Sequence, residues 1–192
     1  MRASRMTPLL RAYLNYKAIV RPNHPNPDQQ NRAIRAQCRR VRAEPLYETV
    51  LADKAQAAVG LVMPHGELSD FDRDVVLGCL PLFAEGLAHT PNRSWGDACR
   101  SIFKDYSGSR DGVEARANKL FQAPDLYIFL ISARRFLTLA GEDGFRTDLN
   151  YLHRDLRTLF QYADVSVRTR WIASFYYRRP GSGSEKSGDN PK

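Results

Sequence analysis

The sequence predicts an all-α protein, a helical bundle in one piece or as two small packed helical subdomains. Two observations carry this. Apolar residues recur at spacings of three and four along the chain, and no stretch shows the convincing apolar–polar alternation of a half-buried strand. The periodic segments are separated by prolines, glycines and short polar side chains that start and stop helices. With 192 residues the chain can bury a real core.

A first helix falls within residues 1–20, with Leu9, Leu10, Tyr13, Leu14, Tyr16 and Ile19 as its apolar positions. The stretch Arg21–Asp28 holds Pro22, Pro25 and Pro27 and reads as a linker. That leaves the first helix as an appendage, so residues 1–28 are set apart from an N-terminal helical part at 29–112, a C-terminal bundle at 113–180 and a disordered tail at 181–192. Asn31–Ala43 is the most informative local pattern, with five arginines and no acid. Arg32, Arg35, Arg39 and Arg42 are spaced three, four and three, so they share one helical face along roughly 15 Å. Ile34, Cys38 and Val41 make the opposite, core-facing stripe. Cations in a row repel one another unless anions lie along them. The row is either a ridge for a polyanion or a solvated basic face.

A helix is expected from Leu46 to Val59 and another from Phe71 to Ala88, capped by Ser69 or Asp70 and kinked at Pro81. Ser94 caps a helix in SWGDACRSIFKDY, Ser107–Gly112 is a loop, and Glu114–Phe121 is a short helix with Arg116 and Lys119 on one face. Pro124–Ala140 is apolar nearly all round, the mark of a central helix. Arg134 and Arg135 interrupt it, and either a structural salt bridge or a phosphate contact would account for them. The chain closes with a hairpin. Asp148 caps a helix with Leu149, Leu152, Leu156, Leu159 and Phe160 on its stripe; Ser166 caps a second with Val167, Trp171 and Phe175. Arg154, Arg157 and Arg168 lie off those stripes. Trp171, Tyr176 and Tyr177 could stack on bases, but their place on or beside the stripe favours a core role.

Lys and Arg number 29 against 21 Asp and Glu, a net charge of +8, which favours an anionic partner such as nucleic acid. No run of about 18 apolar residues could span a bilayer, and the N-terminus lacks the apolar region of a signal peptide. Cys38, Cys79 and Cys99 are odd in number and widely spaced, which fits neither a disulfide framework nor a zinc site and suits a reducing cytosol. The histidines are scattered. His153 and Asp155 cannot by themselves make a metal site, and His89 suits a capping role. No glycine-rich phosphate loop, nucleophile elbow or supported Cys–His pair is present, so the expectation is a protein with no catalytic residues, metal or cofactor.

DLNYLHRDL at 148–156 followed by VRTRWIASFYYR at 167–178 resembles the C-terminal signature of the CasB family, the small subunit of the type I-E CRISPR surveillance complex, Cascade. NRAIRAQCRRVRA at 31–43, LAHT at 87–90 with SWGDAC after it, and KLFQAPD with ARRFLTLA agree with the family in the same order, so the resemblance covers about residues 29–178. Residues 1–28 have no counterpart, and Ile172 stands where the family usually has alanine, a change in packing. The resemblance implies a non-catalytic, all-helical, cytoplasmic subunit. Its partners would be the backbone and large subunits of the complex, the guide RNA within it, target DNA with its displaced strand, and a second copy of itself, with no membrane. The basic residues at matched segments would then hold phosphate without reading sequence: Arg32, Arg35, Arg39 and Arg42; Arg116 and Lys119; Arg134 and Arg135; Arg154, Arg157 and Arg168. The competing classes are an independent DNA-binding regulator, a protein scaffold whose charge is incidental, and a nuclease.

Overall fold

The computed structural model describes residues 6–20, 27–41, 60–140 and 145–177. The expected helix at Leu46–Val59, Arg42 of the basic row, the Gly141–Gly144 break and the polar tail lie outside the described residues. Helix α1 (Pro8–Ile19) is capped by Thr7, whose hydroxyl accepts from the Leu10 amide. Leu9, Leu10, Ala12 and Tyr16 of α1 are buried, packed towards α3 (Asp70–Ala84) and α7 (Leu149–Leu156). The Thr7 amide and hydroxyl both donate to Asn150 Oδ1, each at 3.0 Å, which ties the start of α1 to the last hairpin. The first helix is therefore part of the main core and does not hang from it as an appendage. Helix α2 (Pro27–Arg40) begins at a proline, which a first helical turn tolerates, so helix replaces the end of the expected linker. Ile34 and Cys38 of α2, with Val41 just beyond it, are buried as their spacing predicts, and α2 lies against α3.

Ser69 caps α3, and Pro81 sits in its last turn. The helix ends at Ala84, short of the expected Ala88, because Gly86 takes φ +109° and turns the chain away. The chain then enters β1 (Leu87–His89), which pairs in parallel with β2 (Phe145–Thr147) in the register Leu87 with Phe145 and His89 with Thr147. This two-stranded sheet corrects the expectation of no strand. Each strand is three residues long, too short for alternation to show. The pairing also joins segments far apart in sequence.

Helix α4 (Trp95–Asp105) opens on a full capping box between Ser94 and Asp97. Helix α5 (Arg110–Phe121) starts earlier than expected, at a Ser109 cap within the supposed loop. Helix α6 (Leu126–Leu137), capped by Asp125, buries Phe129, Leu130, Ala133, Phe136 and Leu137 but leaves Tyr127 and Ile128 exposed, so it is buried on one side and not all round as expected. Helix α7 runs into a π-helical turn, Arg157–Gln161, and α8 (Ser166–Tyr176) completes the hairpin. Ser166 is not the cap of α8 but its first residue: Val165 holds the cap position with no side-chain cap bond, and the Ser166 amide donates to Asp164 Oδ1 at 2.8 Å. The core centres on Trp95, Phe129 and Trp171, with ring centroids 5.5 Å apart for the first pair and 5.6 Å for the second. Among the described residues the protein is thus predominantly α-helical, a bundle with one short parallel ladder.

Candidate nucleic-acid interface

The row on α2 is built by the burial of its opposite stripe. With Ile34 and Cys38 held inside, Arg32, Arg35 and Arg39 are left exposed on the outer face. They are not equivalent. Arg39 Nη2 donates to the Ala84 carbonyl at the end of α3, at 3.3 Å. Arg35 lies beside the buried Tyr16 hydroxyl; burial pushes that phenol up, and the guanidinium pulls against it. Arg39 therefore braces α2 on α3 while keeping its charge at the surface.

On α5, Arg116 and Lys119 are exposed. The two arginines of α6 part company. Arg134 Nε and Nη2 meet Glu85 Oε1 at 2.8 and 2.7 Å, so the salt-bridge alternative is the geometry found there. Arg135 is exposed in the last turn of α6, where a cation also complements the helix dipole.

On the closing hairpin, Arg154 Nε donates to the Asn150 carbonyl and its guanidinium lies 5.0 Å from the centre of the Tyr151 ring. Arg157 Nε donates to Gln161 Oε1 at 2.7 Å, with the Tyr162 ring 5.9 Å away. Arg168 is half-buried and donates to the Ala123 carbonyl at 2.7 Å, which makes it a strut between α8 and the α5–α6 turn. The aromatic expectation divides. Trp171 is buried, whereas Tyr176 is 40% and Tyr177 74% exposed, so neither tyrosine is core. They follow Phe175 at the end of α8, where the buried stripe has run out, and the Tyr176 hydroxyl donates to Glu114.

Sequence reasoning did not bring Asp155 and Arg170 together. Asp155 Oδ2 accepts from Trp171 Nε1 and Oδ1 from Arg170 Nη2, both at 2.7 Å. Burial pushes the Asp155 carboxyl up despite those two donors. The signal available was an acid on the polar side of α7 facing an indole that needs an acceptor once buried. His89 is a cap, though of a remote helix: its Nδ1 accepts from the Leu149 amide at 3.2 Å. His153 is buried with Nε2 3.0 Å from Asp72 Oδ1. Among the described residues no three His, Cys, Asp or Glu side chains gather where they could hold a metal ion. Burial pushes the Cys38 thiol up to about 11 and Cys79 to about 12, and raises Cys99 as well, so all three are protonated core side chains. No described helix is long and apolar enough to cross a membrane.

Across the described residues these cations thus fall on α2, α5, the end of α6 and the last hairpin, and of them only Arg134 is turned onto a carboxylate. Comparison with known proteins bears on what that surface serves. The family model for the CRISPR-associated protein Cse2 matches residues 34–176. A crystal structure of a Cse2-family CRISPR-associated protein from Thermus thermophilus superposes with a TM-score of 0.63 at 23% identity, covering 89% of this chain and 99% of that one. That likeness carries the fold. No curated protein matches the chain. The family match spans most of the helical body, from the buried stripe of α2 to the end of α8, and on that ground the chain belongs to the Cse2 family, also called CasB, the small subunit of the type I-E CRISPR complex Cascade.

Proposed function

We propose that this chain is a non-catalytic, nucleic-acid-holding subunit of Cascade, which keeps target DNA and its displaced strand apart by gripping phosphate without reading sequence. The physical need follows from energetics: exchanging a DNA duplex for an RNA–DNA hybrid is nearly balanced, so protein contacts to the strands tip the exchange. One observation carries the reading. Arg32, Arg35 and Arg39 stand exposed on one face of α2. Arg39 is also braced on α3, so less of its side-chain freedom is lost when an anion binds. Arg116, Lys119 and Arg135, with Arg154 and Arg157, are further cations on other elements, and Arg42 continues the α2 row in sequence. Arg134 and Arg168 hold the scaffold and contribute their field. The partners in this reading are the other subunits of the complex, the guide RNA within it, both DNA strands and a second copy of the chain.

The test is binding of the purified protein to labelled DNA at several salt concentrations. The parent is expected to bind mixed sequences alike, with log affinity falling linearly in log salt. Replacing Arg32, Arg35 and Arg39 together by glutamate should lower affinity at least tenfold and flatten the salt slope, with the melting temperature within a few degrees of the parent. Undiminished binding by that variant would overturn the reading.

A further inference from the structure

At the corner between α7 and α8 lies a pocket of about 320 Å³, lined among others by Tyr151, Arg154, Asp155, Thr158, Arg170 and Trp171. That volume is at the lower end of small-ligand pockets, roughly 300–1,000 Å³, enough for a nucleobase with its sugar and too small for a helix or a duplex end. Its walls are built rather than incidental. The Tyr151 hydroxyl donates to Asn92 Oδ1 at 3.3 Å, which fixes the ring, and the Arg154 guanidinium lies over that ring. Asp155 is held by Trp171 and Arg170 through one bond to each oxygen. Each carboxylate oxygen has a second lone pair, so the group retains capacity to accept from a ring N–H or an exocyclic amine. Arg170 remains 55% exposed in spite of its ion pair, so with Arg154 it presents positive charge where the pocket meets solvent.

An aromatic ring with a guanidinium beside it, an acceptor for a base edge, and cations at the mouth for the neighbouring phosphates are the parts by which proteins hold an unpaired base. A paired base presents none of its Watson–Crick edge and must leave the duplex before it can enter. Just beyond, Arg157 and the 63% exposed Tyr162 form a second cation–aromatic pair across the π-helical turn. We infer that this pocket seats one unpaired nucleobase of a DNA strand, with Tyr151 and Arg154 stacking on it, Asp155 meeting its edge and Arg170 meeting an adjacent phosphate. The inference rests on the nucleic-acid reading above and adds to it a contact with a base, made by residues outside the α2 row.

The experiment compares three probes of equal length with the full chain: a single strand carrying 2-aminopurine, the same strand made abasic throughout, and a duplex. The parent should bind the base-bearing strand about tenfold more tightly than the abasic one, the scale expected for one stacked base, and should quench 2-aminopurine fluorescence. Thr158→Trp, which fills the pocket without removing charge, and Tyr151→Leu, which keeps apolar bulk but removes the ring, should each abolish the preference and leave abasic binding unchanged. Equal affinity of the parent for the base-bearing and abasic strands, or an unchanged preference in both variants, would overturn the pocket and leave the phosphate-holding reading standing. Failure to bind any of the three probes would overturn both.

Discussion

Gly96 lies in the first turn of α4, where that helix meets α8, and a Cβ there would overlap the Trp171 carbonyl oxygen and crowd Ser174 Cβ. A backbone oxygen inside a helix cannot step aside, so Gly96→Ala should cost about 2–3 kcal/mol, more than the roughly 1 kcal/mol that alanine returns in helix propensity. Gly78 on α3 is the control. The nearest atoms to its Cβ belong to the Leu130 side chain, closest at Cδ1, and a side chain can shift where a helical carbonyl cannot, so Gly78→Ala should cost less. Thermal or denaturant unfolding of the two variants checks the ranking. His153 gives a second expectation at this scale. Burial lowers its affinity for a proton; Asp72 opposes that, and Arg157 and Arg154 add to it. The two facing atoms lie 3.0 Å apart, yet neither is satisfied as a hydrogen-bonding group, so burial prevails. The folded protein then binds fewer protons here than the unfolded chain, whose histidine titrates near 6.5. This contribution to stability is whole above about pH 6.5 and is lost as pH falls through the lowered value. Melting temperature should drop on acidification from pH 7 to 5, and His153→Gln should flatten that segment of the profile.

Among the elements, the start of α7 depends most on a single side chain. Asp148 is 5% exposed; its Oδ1 accepts from the Asn150 and Tyr151 amides, and Oδ2 accepts from the Asn92 amide at 2.9 Å. Asn92 stands at φ +61°, so that bond also holds a turn in a conformation most side chains avoid. Asp148→Ala therefore removes a cap and a loop anchor together. The expected loss is about 2–3 kcal/mol, with a melting temperature several degrees lower in calorimetry. Asp148→Asn should recover part of it, since its carbonyl still accepts. The cap itself was legible in the sequence, because an acid directly before an apolar helical stripe has one common use. Its second bond was not, because Asn92 lies in another segment.

At the scale of the whole molecule, the net charge of +8 and the distribution of cations over several helices make salt the controlling variable for any anionic partner. The class, the caps at Ser69, Ser94 and Asp148 and the inward faces of α2 and α8 follow from residue spacing, because a 3.6-residue period needs only local information. The same information placed Arg32, Arg35 and Arg39 together on the outer face of α2, since burying Ile34 and Cys38 leaves them nowhere else to go. Tertiary structure decided what no window of sequence contains. It paired β1 with the distant β2, Leu87 against Phe145, and brought α1 into the core through Asn150. It turned Arg134 onto Glu85, and it set Asp155 between Trp171 and Arg170 at the wall of a pocket. A guanidinium beside a solvated phosphate and one beside a carboxylate look alike in a sequence. Only the packing of a distant helix, by placing or withholding the acid, chooses between them.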